Sequence, residues 1–176
     1  MNPGTELVAA SFRDPHGFVF RRGSVLYRQV NEVHRPHLDR FTESGLYDRL
    51  VADELLVEHE DVDLSLAAAP DACRVIRPEE IPFISYPYEW SFSMLRDAAL
   101  ATLRIQDLAL DHGMSLRDAT AYNLTFHKGR PQFLDTTSFE ILPEGRPWVA
   151  YRLFFQHFVP PPALMSLREA RTGQLS

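Results

Sequence analysis

HGMSLRDATAYNLTFHKGRPQFLD, residues 112–135, packs more candidate chemistry into one run than any other part of this chain. It opens on His112 and Gly113, the glycine a helix stop, and passes an Arg117-Asp118 pair. Asn123 stands five residues beyond that aspartate, and Asp135 follows twelve residues later. Between them, Asn123 to Phe126 and Gln132 to Leu134 read as short strands around His127-Lys128-Gly129-Arg130-Pro131, which predicts a β-hairpin. Upstream, Ser91 can cap a helix. Met94, Leu95, Ala98, Leu103, Ile105, Leu108 and Leu110 then form a broad apolar stripe up to Gly113, so a helix of about twenty residues leads into the loop.

Two carboxylates and one carboxamide are residue types that phosphoryl transfer can use. That reaction needs a carboxylate to orient or deprotonate the attacking hydroxyl, and oxygen ligands to hold magnesium against a triphosphate. The same residue types also cap turns and end strands throughout proteins. Taken with the preceding helix and the hairpin, the segment resembles the central helix, catalytic loop and metal-binding aspartate of protein-kinase-like phosphotransferases, including the aminoglycoside-phosphotransferase-like branch. The resemblance implies an α+β, reduced kinase-like fold, with a small β-hairpin-rich N-lobe and a mainly helical C-lobe. It also implies Mg2+ and ATP as cofactors, Asp118 as catalytic base, and Asn123 and Asp135 as metal ligands.

Working outward, Phe18 to Val30 (FVFRRGSVLYRQV) is two apolar, β-branched runs around a polar Arg21-Arg22-Gly23-Ser24 break, a second predicted hairpin. By the resemblance this is the phosphate-covering hairpin, with Gly17 at its base and Arg28 where the family places its phosphate-binding lysine. Glu54, on the following helical stretch, is the implied partner acid, and Tyr86 and Tyr88 line an implied adenine hinge running from Pro82 to Trp90. The chain departs from the family in four places. Lys128 is its single lysine, Gly17 lacks the companion glycines of the loop, Leu116 stands where a histidine is usual, and Asp135-Thr136-Thr137 lacks Phe-Gly.

Leu38, Phe41, Leu46, Leu50 and Leu55 recur at helical spacing and Gly45 divides them into two helices. Cys73 to Ile76 reads as a strand, and Ile81 to Tyr88, twice broken by proline, as an extended connector. A last helix is expected from Trp148 to about Phe158. The resulting division is a loose start over 1–14, an N-lobe-like region over 15–85, a C-lobe-like region over 86–166 and a fraying tail over 167–176. His34, His37 and Asp39 carry two readings, a metal site or a solvated turn interrupted by Pro36.

With 176 residues and 45% hydrophobic content, the chain is long enough for one domain with its own core. Its net charge of −6 argues against nucleic acid or an anionic membrane as a partner. One cysteine and the absence of an apolar leader in MNPGTELVAA lead to the expectation of a cytoplasmic protein. The segments ISYPYEWS and LRDATAYNLTFHKGRPQFLDTTSFE carry a second resemblance, to the N-terminal region of bacterial nodulation-protein-like homologues of SAM-dependent methyltransferases. No glycine-rich dinucleotide-type fingerprint accompanies it. Two functions are therefore expected: an Mg-nucleotide-binding domain that transfers phosphate to a hydroxyl, or a pseudokinase-like accessory module associated with a methyltransferase.

Overall fold

A computed structural model describes residues 5–7 and 14–172. Five antiparallel strands form the first layer: β1 (Thr5–Leu7), β2 (Gly17–Arg22), β3 (Val25–Asn31), β4 (His59–Val62) and β5 (Ala72–Pro78), in the order β1-β2-β3-β5-β4. Order was expected to begin near Gly17, yet Thr5 to Leu7 pair with Arg22 to Phe20 and extend the sheet edge. Nothing in so short a mixed segment signals a strand, because its partner supplies the ladder. The rest of the predicted loose start, residues 1–4 and 8–13, lies outside the described residues, as do residues 173–176 of the predicted tail. The β2–β3 hairpin closes over Gly23-Ser24, with Arg22 opposite Val25. Gly23 adopts φ 59, a left-handed value that suits a tight hairpin turn.

Between β3 and β4 run α1 (Arg35–Glu43) and α2 (Leu46–Ala52), divided as predicted by Gly45, whose φ of 79 suits a residue without a Cβ. The long helix α3 (Phe92–Asp111) starts where Ser91 Oγ accepts Met94 N–H, and ends before Gly113 at φ 72. Two small antiparallel pairs follow. β6 (Met114–Leu116) pairs with β9 (Phe139–Ile141), and β7 (Leu124–His127) with β8 (Arg130–Phe133). The latter hairpin turns over Lys128-Gly129, both at positive φ. The final helix was expected to span 148–158. It begins instead at Tyr151, as α4 (Tyr151–Phe158), and a further helix, α5 (Pro160–Thr172), continues through the segment read as a tail. Proline suits a helix's first turn, where its missing N–H is no loss.

The main core lies beneath the sheet. Phe41 of α1, Leu46 and Leu50 of α2, Ala98 and Ile105 of α3, and Phe133 and Phe139 close it. Phe41 stacks on Phe139 with centroids 4.5 Å apart, fixing α1 over β9. A smaller cluster of Phe18, Phe20, Ala68 and Val75 forms a second core on the sheet. Two buried glutamines brace the frame. Gln29 accepts the amides of Ala68 and Ala69, both at 2.9 Å. Gln106, in the C-terminal half of α3, accepts Leu116 N–H at 2.8 Å and so hangs β6 from the helix. The architecture is a mixed α+β fold. No helix of the described residues is long and apolar enough to cross a membrane.

Candidate functional site

The loop after β6 is held from both ends before any functional side chain enters. Arg117 N–H donates to Ser138 O at 2.8 Å, and its guanidinium donates to Thr137 O and to Asp14 Oδ2 at 2.8 and 2.7 Å. Asp118 follows on that anchored backbone. Its Oδ1 accepts Thr120 N–H at 2.8 Å, a local turn bond and the only hydrogen bond of its side chain among the described residues. Asn123 ends the loop, where its backbone O accepts Leu134 N–H and its Nδ2 donates to Ser138 Oγ at 3.1 Å.

Asp135 sits at the centre of the arrangement. Its Oδ1 accepts from Arg28 Nη1 at 2.6 Å, from Thr137 Oγ1 at 2.6 Å and from Thr137 N at 2.9 Å, and its Oδ2 accepts from Ser138 Oγ at 2.8 Å. Both oxygens are engaged. Arg28 and Asp135 side chains are only 13% and 16% exposed. Burial pushes the carboxyl of Asp135 up, but Arg28 and the Thr137 and Ser138 hydrogen bonds outweigh it, and the group is held below its ordinary value. Asn123 and Asp135 therefore converge through one shared hydroxyl, that of Ser138, while Asp118 stays within its own turn.

The other predicted residues are placed less uniformly. Gly17 begins β2, far from the hairpin turn, and is small for a packing reason: a Cβ there would collide with Gln29 O and lie 3.3 Å from Thr137 Cγ2. Arg28 does lie in β3, but the acid facing it is Asp135 and not Glu54. Glu54 follows α2 at φ 55 and pairs with Arg130 on the exposed surface at 2.5 Å. Tyr86 and Tyr88 stack with centroids 5.6 Å apart and rings 6° from parallel, exposed at a short 3-10 turn, Pro87–Glu89. Trp90, at the end of that stretch, is core: it is buried, with Nε1 donating to Ser85 Oγ at 3.1 Å.

Sequence reasoning missed the hydroxyls of Thr137 and Ser138. An aspartate followed by a run of threonine and serine is the composition of a turn whose hydroxyls satisfy the carboxylate, and that signal was present. It also missed a histidine cluster beside the site. His34 is fully buried, with Nδ1 3.1 Å from His16 Nδ1 and Nε2 without a partner among the described residues. Desolvation, reinforced by His37, His16 and Arg117, lowers its pKa to about 3, so the ring is neutral and is no part of a solvated turn. The HxxHxD metal reading is not met either. His37 Nδ1 accepts Ile141 N–H, Asp39 lies 3.7 Å from Arg74, and no group of three His, Cys, Asp or Glu side chains among the described residues could hold a metal ion.

Magnesium at Asn123 and Asp135 meets an electrostatic obstacle. A metal–oxygen bond is about 2.1 Å, and Asp135 Oδ1 already carries a guanidinium nitrogen at 2.6 Å. At ~4 Å two unit like charges repel by about 4 kcal/mol in an environment of effective dielectric ~20, and a divalent ion roughly doubles that. The donor set around Asp135 therefore fits a cation already supplied by the chain, and a magnesium ion does not fit beside it. A cavity of about 600 Å³ lies elsewhere, between Leu26, Glu58, Glu60, Arg77, Glu79 and Glu80, and includes none of the candidate site residues. Its carboxylates make it a poor receptor for phosphate.

The site thus defines a class: a buried arginine–carboxylate centre, with a loop aspartate and asparagine beside it, in a mixed α+β fold. Nodulation protein NoeA of Rhizobium meliloti (strain 1021) is 35% identical to this chain over 162 residues, 91% of this chain and 34% of that protein. The chain spans about a third of the length of this relative. No family model matches the chain.

Proposed function

We propose that the chain is a kinase-like module without phosphotransfer activity that serves a NoeA-like protein as an accessory unit. The observation that carries this reading is the Arg28–Asp135 bond at 2.6 Å, on a carboxylate whose other donors are Thr137 and Ser138. Several features support the kinase-like part. The β1-β2-β3 meander continues into β5 and β4, one long helix leads to the Arg117-Asp118 loop, and the β7–β8 hairpin carries the chain from Asn123 to Asp135. The accessory part draws on the similarity to NoeA, of which the matched region is 34%. The resemblance to methyltransferase homologues adds the expected setting, a module beside a SAM-dependent methyltransferase.

Transfer of phosphate from Mg-ATP by Asp118 draws less support from this geometry, because the aspartate meant for the metal is already neutralised. The test is ADP release from ATP and magnesium by the wild type and by Asp118→Asn. Equal background rates are expected. A wild-type turnover that falls by ~10²–10⁴ on this substitution, the range for lost general-base help, would overturn the reading.

A further inference from the structure

We infer that Arg28 is the built-in cation of this centre, holding the position on Asp135 that a divalent metal would otherwise take and joining β3 to the segment after β8 without any ligand. The inference rests on the reading of the chain as a non-catalytic kinase-like module, and says how that state is maintained. Arg28 comes from the five-stranded sheet and Asp135 from the segment after β8, 107 residues away, so their bond ties the sheet to the β7–β8 hairpin and the turn that follows it.

The surroundings are built for an arginine. Nη1 of Arg28 serves two acceptors, Asp135 Oδ1 at 2.6 Å and Thr137 Oγ1 at 3.2 Å, and the Thr137 hydroxyl donates to the same Oδ1. Ser138 and, behind it, Asn123 hold the other oxygen. Two further ties run parallel across the same boundary: Arg117 to Asp14, and Gly17 packed on the Thr137 methyl group. Guanidinium keeps its charge at all accessible pH values and cannot dissociate into solution, so the pairing depends on no metal concentration.

The experiment is thermal unfolding of the full chain with and without millimolar Mn2+ or Mg2+, with Mn2+ binding read in parallel by electron paramagnetic resonance. Wild type is expected to show no bound Mn2+ and no shift in Tm. Arg28→Gln is expected to lose roughly 5–10 °C, to bind one Mn2+, and to regain part of the loss with it. Arg28→Gln/Asp135→Asn should show no such rescue. An Arg28→Gln chain that folds only when refolded with Mn2+ supports the inference. One that fails with and without it, one as stable as wild type, or one destabilised yet indifferent to Mn2+ overturns it. Asp118-dependent ATP turnover would end the functional reading. Asp135-dependent Mn2+ binding by a wild type without turnover would end this inference alone.

Discussion

Arg117 and Asp14, 103 residues apart in the chain, meet at 2.7 Å, and the same guanidinium reaches Thr137 O at 2.8 Å. One side chain thus spans the segment before β2, the loop after β6 and the turn after Asp135. Arg117→Met keeps most of the stem and removes both bonds. Because the pair is 23% and 33% exposed, the loss is modest. About 1 kcal/mol is expected, or ~2–4 °C in Tm for a chain of this size. A scanning calorimetry trace that does not move would show that the segment is held by its neighbours alone.

Asp135 makes stability depend on acid. Its folded pKa lies below the unfolded value of 3.8, so its contribution is complete above that value and is lost as pH falls through the folded one. Asp135→Asn leaves the Arg28 charge poorly compensated, which is expected to lower stability by about 3 kcal/mol at neutral pH. It should also flatten the acid limb. Urea unfolding of both proteins at neutral pH and below 3.8 checks both parts, and an unchanged acid limb contradicts the assignment.

His34 acts in a different window. Its pKa is lowered from 6.5 to about 3, so between these values the unfolded chain binds a proton that the folded chain refuses. Stability must then fall with pH from 6.5 downward, with a slope of about 1.4 kcal/mol per pH unit for this residue. His16, His37 and His59 are shifted in the same direction and add to the wild-type slope. His34→Asn is predicted to reduce that slope by about one proton. Chemical denaturation in a buffer series measures it, and an unaltered slope would mean the ring is protonated in the fold.

Gln106 supports the loop from within the core. It accepts Leu116 N–H at 2.8 Å and donates to Ser115 Oγ at 3.1 Å from a buried position. Gln106→Leu fills the space but strands the Leu116 amide, at a cost of about 1–3 kcal/mol. Hydrogen exchange at Leu116 should rise well above that of the α3 backbone, whereas protection equal to wild type would show that another acceptor takes over.

The legible parts of the sequence were the local ones. The hairpin around Lys128-Gly129, the helix after Ser91 and the break at Gly45 each follow from residues within one or two turns of chain, and the structure has all three. The site was half legible. The kinase-like resemblance implied that Asp118, Asn123 and Asp135 share a centre, but pairing Arg28 with Asp135 and not Glu54 requires the register of β3 within the sheet, which no local pattern carries. Gln29 and Gln106 were hidden for a related reason. A polar residue in an apolar run reads as an interruption, whereas here each one completes backbone bonds of a distant segment. In the aromatic stretch 86–90, composition does not say which ring packs: the chain around a short turn sends Trp90 inward and leaves both tyrosines outside.

The placement of the two tryptophans gives this chain its own pair of optical probes. Trp90 lies beneath the connector before α3, bonded to Ser85, and Trp148 donates to Leu116 O at 2.8 Å, at the root of the Asp118 loop. Excited separately in Trp90→Phe and Trp148→Phe, their emission would report solvent entry at the connector and at the loop as independent signals. A ligand or partner that loosens either region would thus declare, by which indole reddens, where it acts.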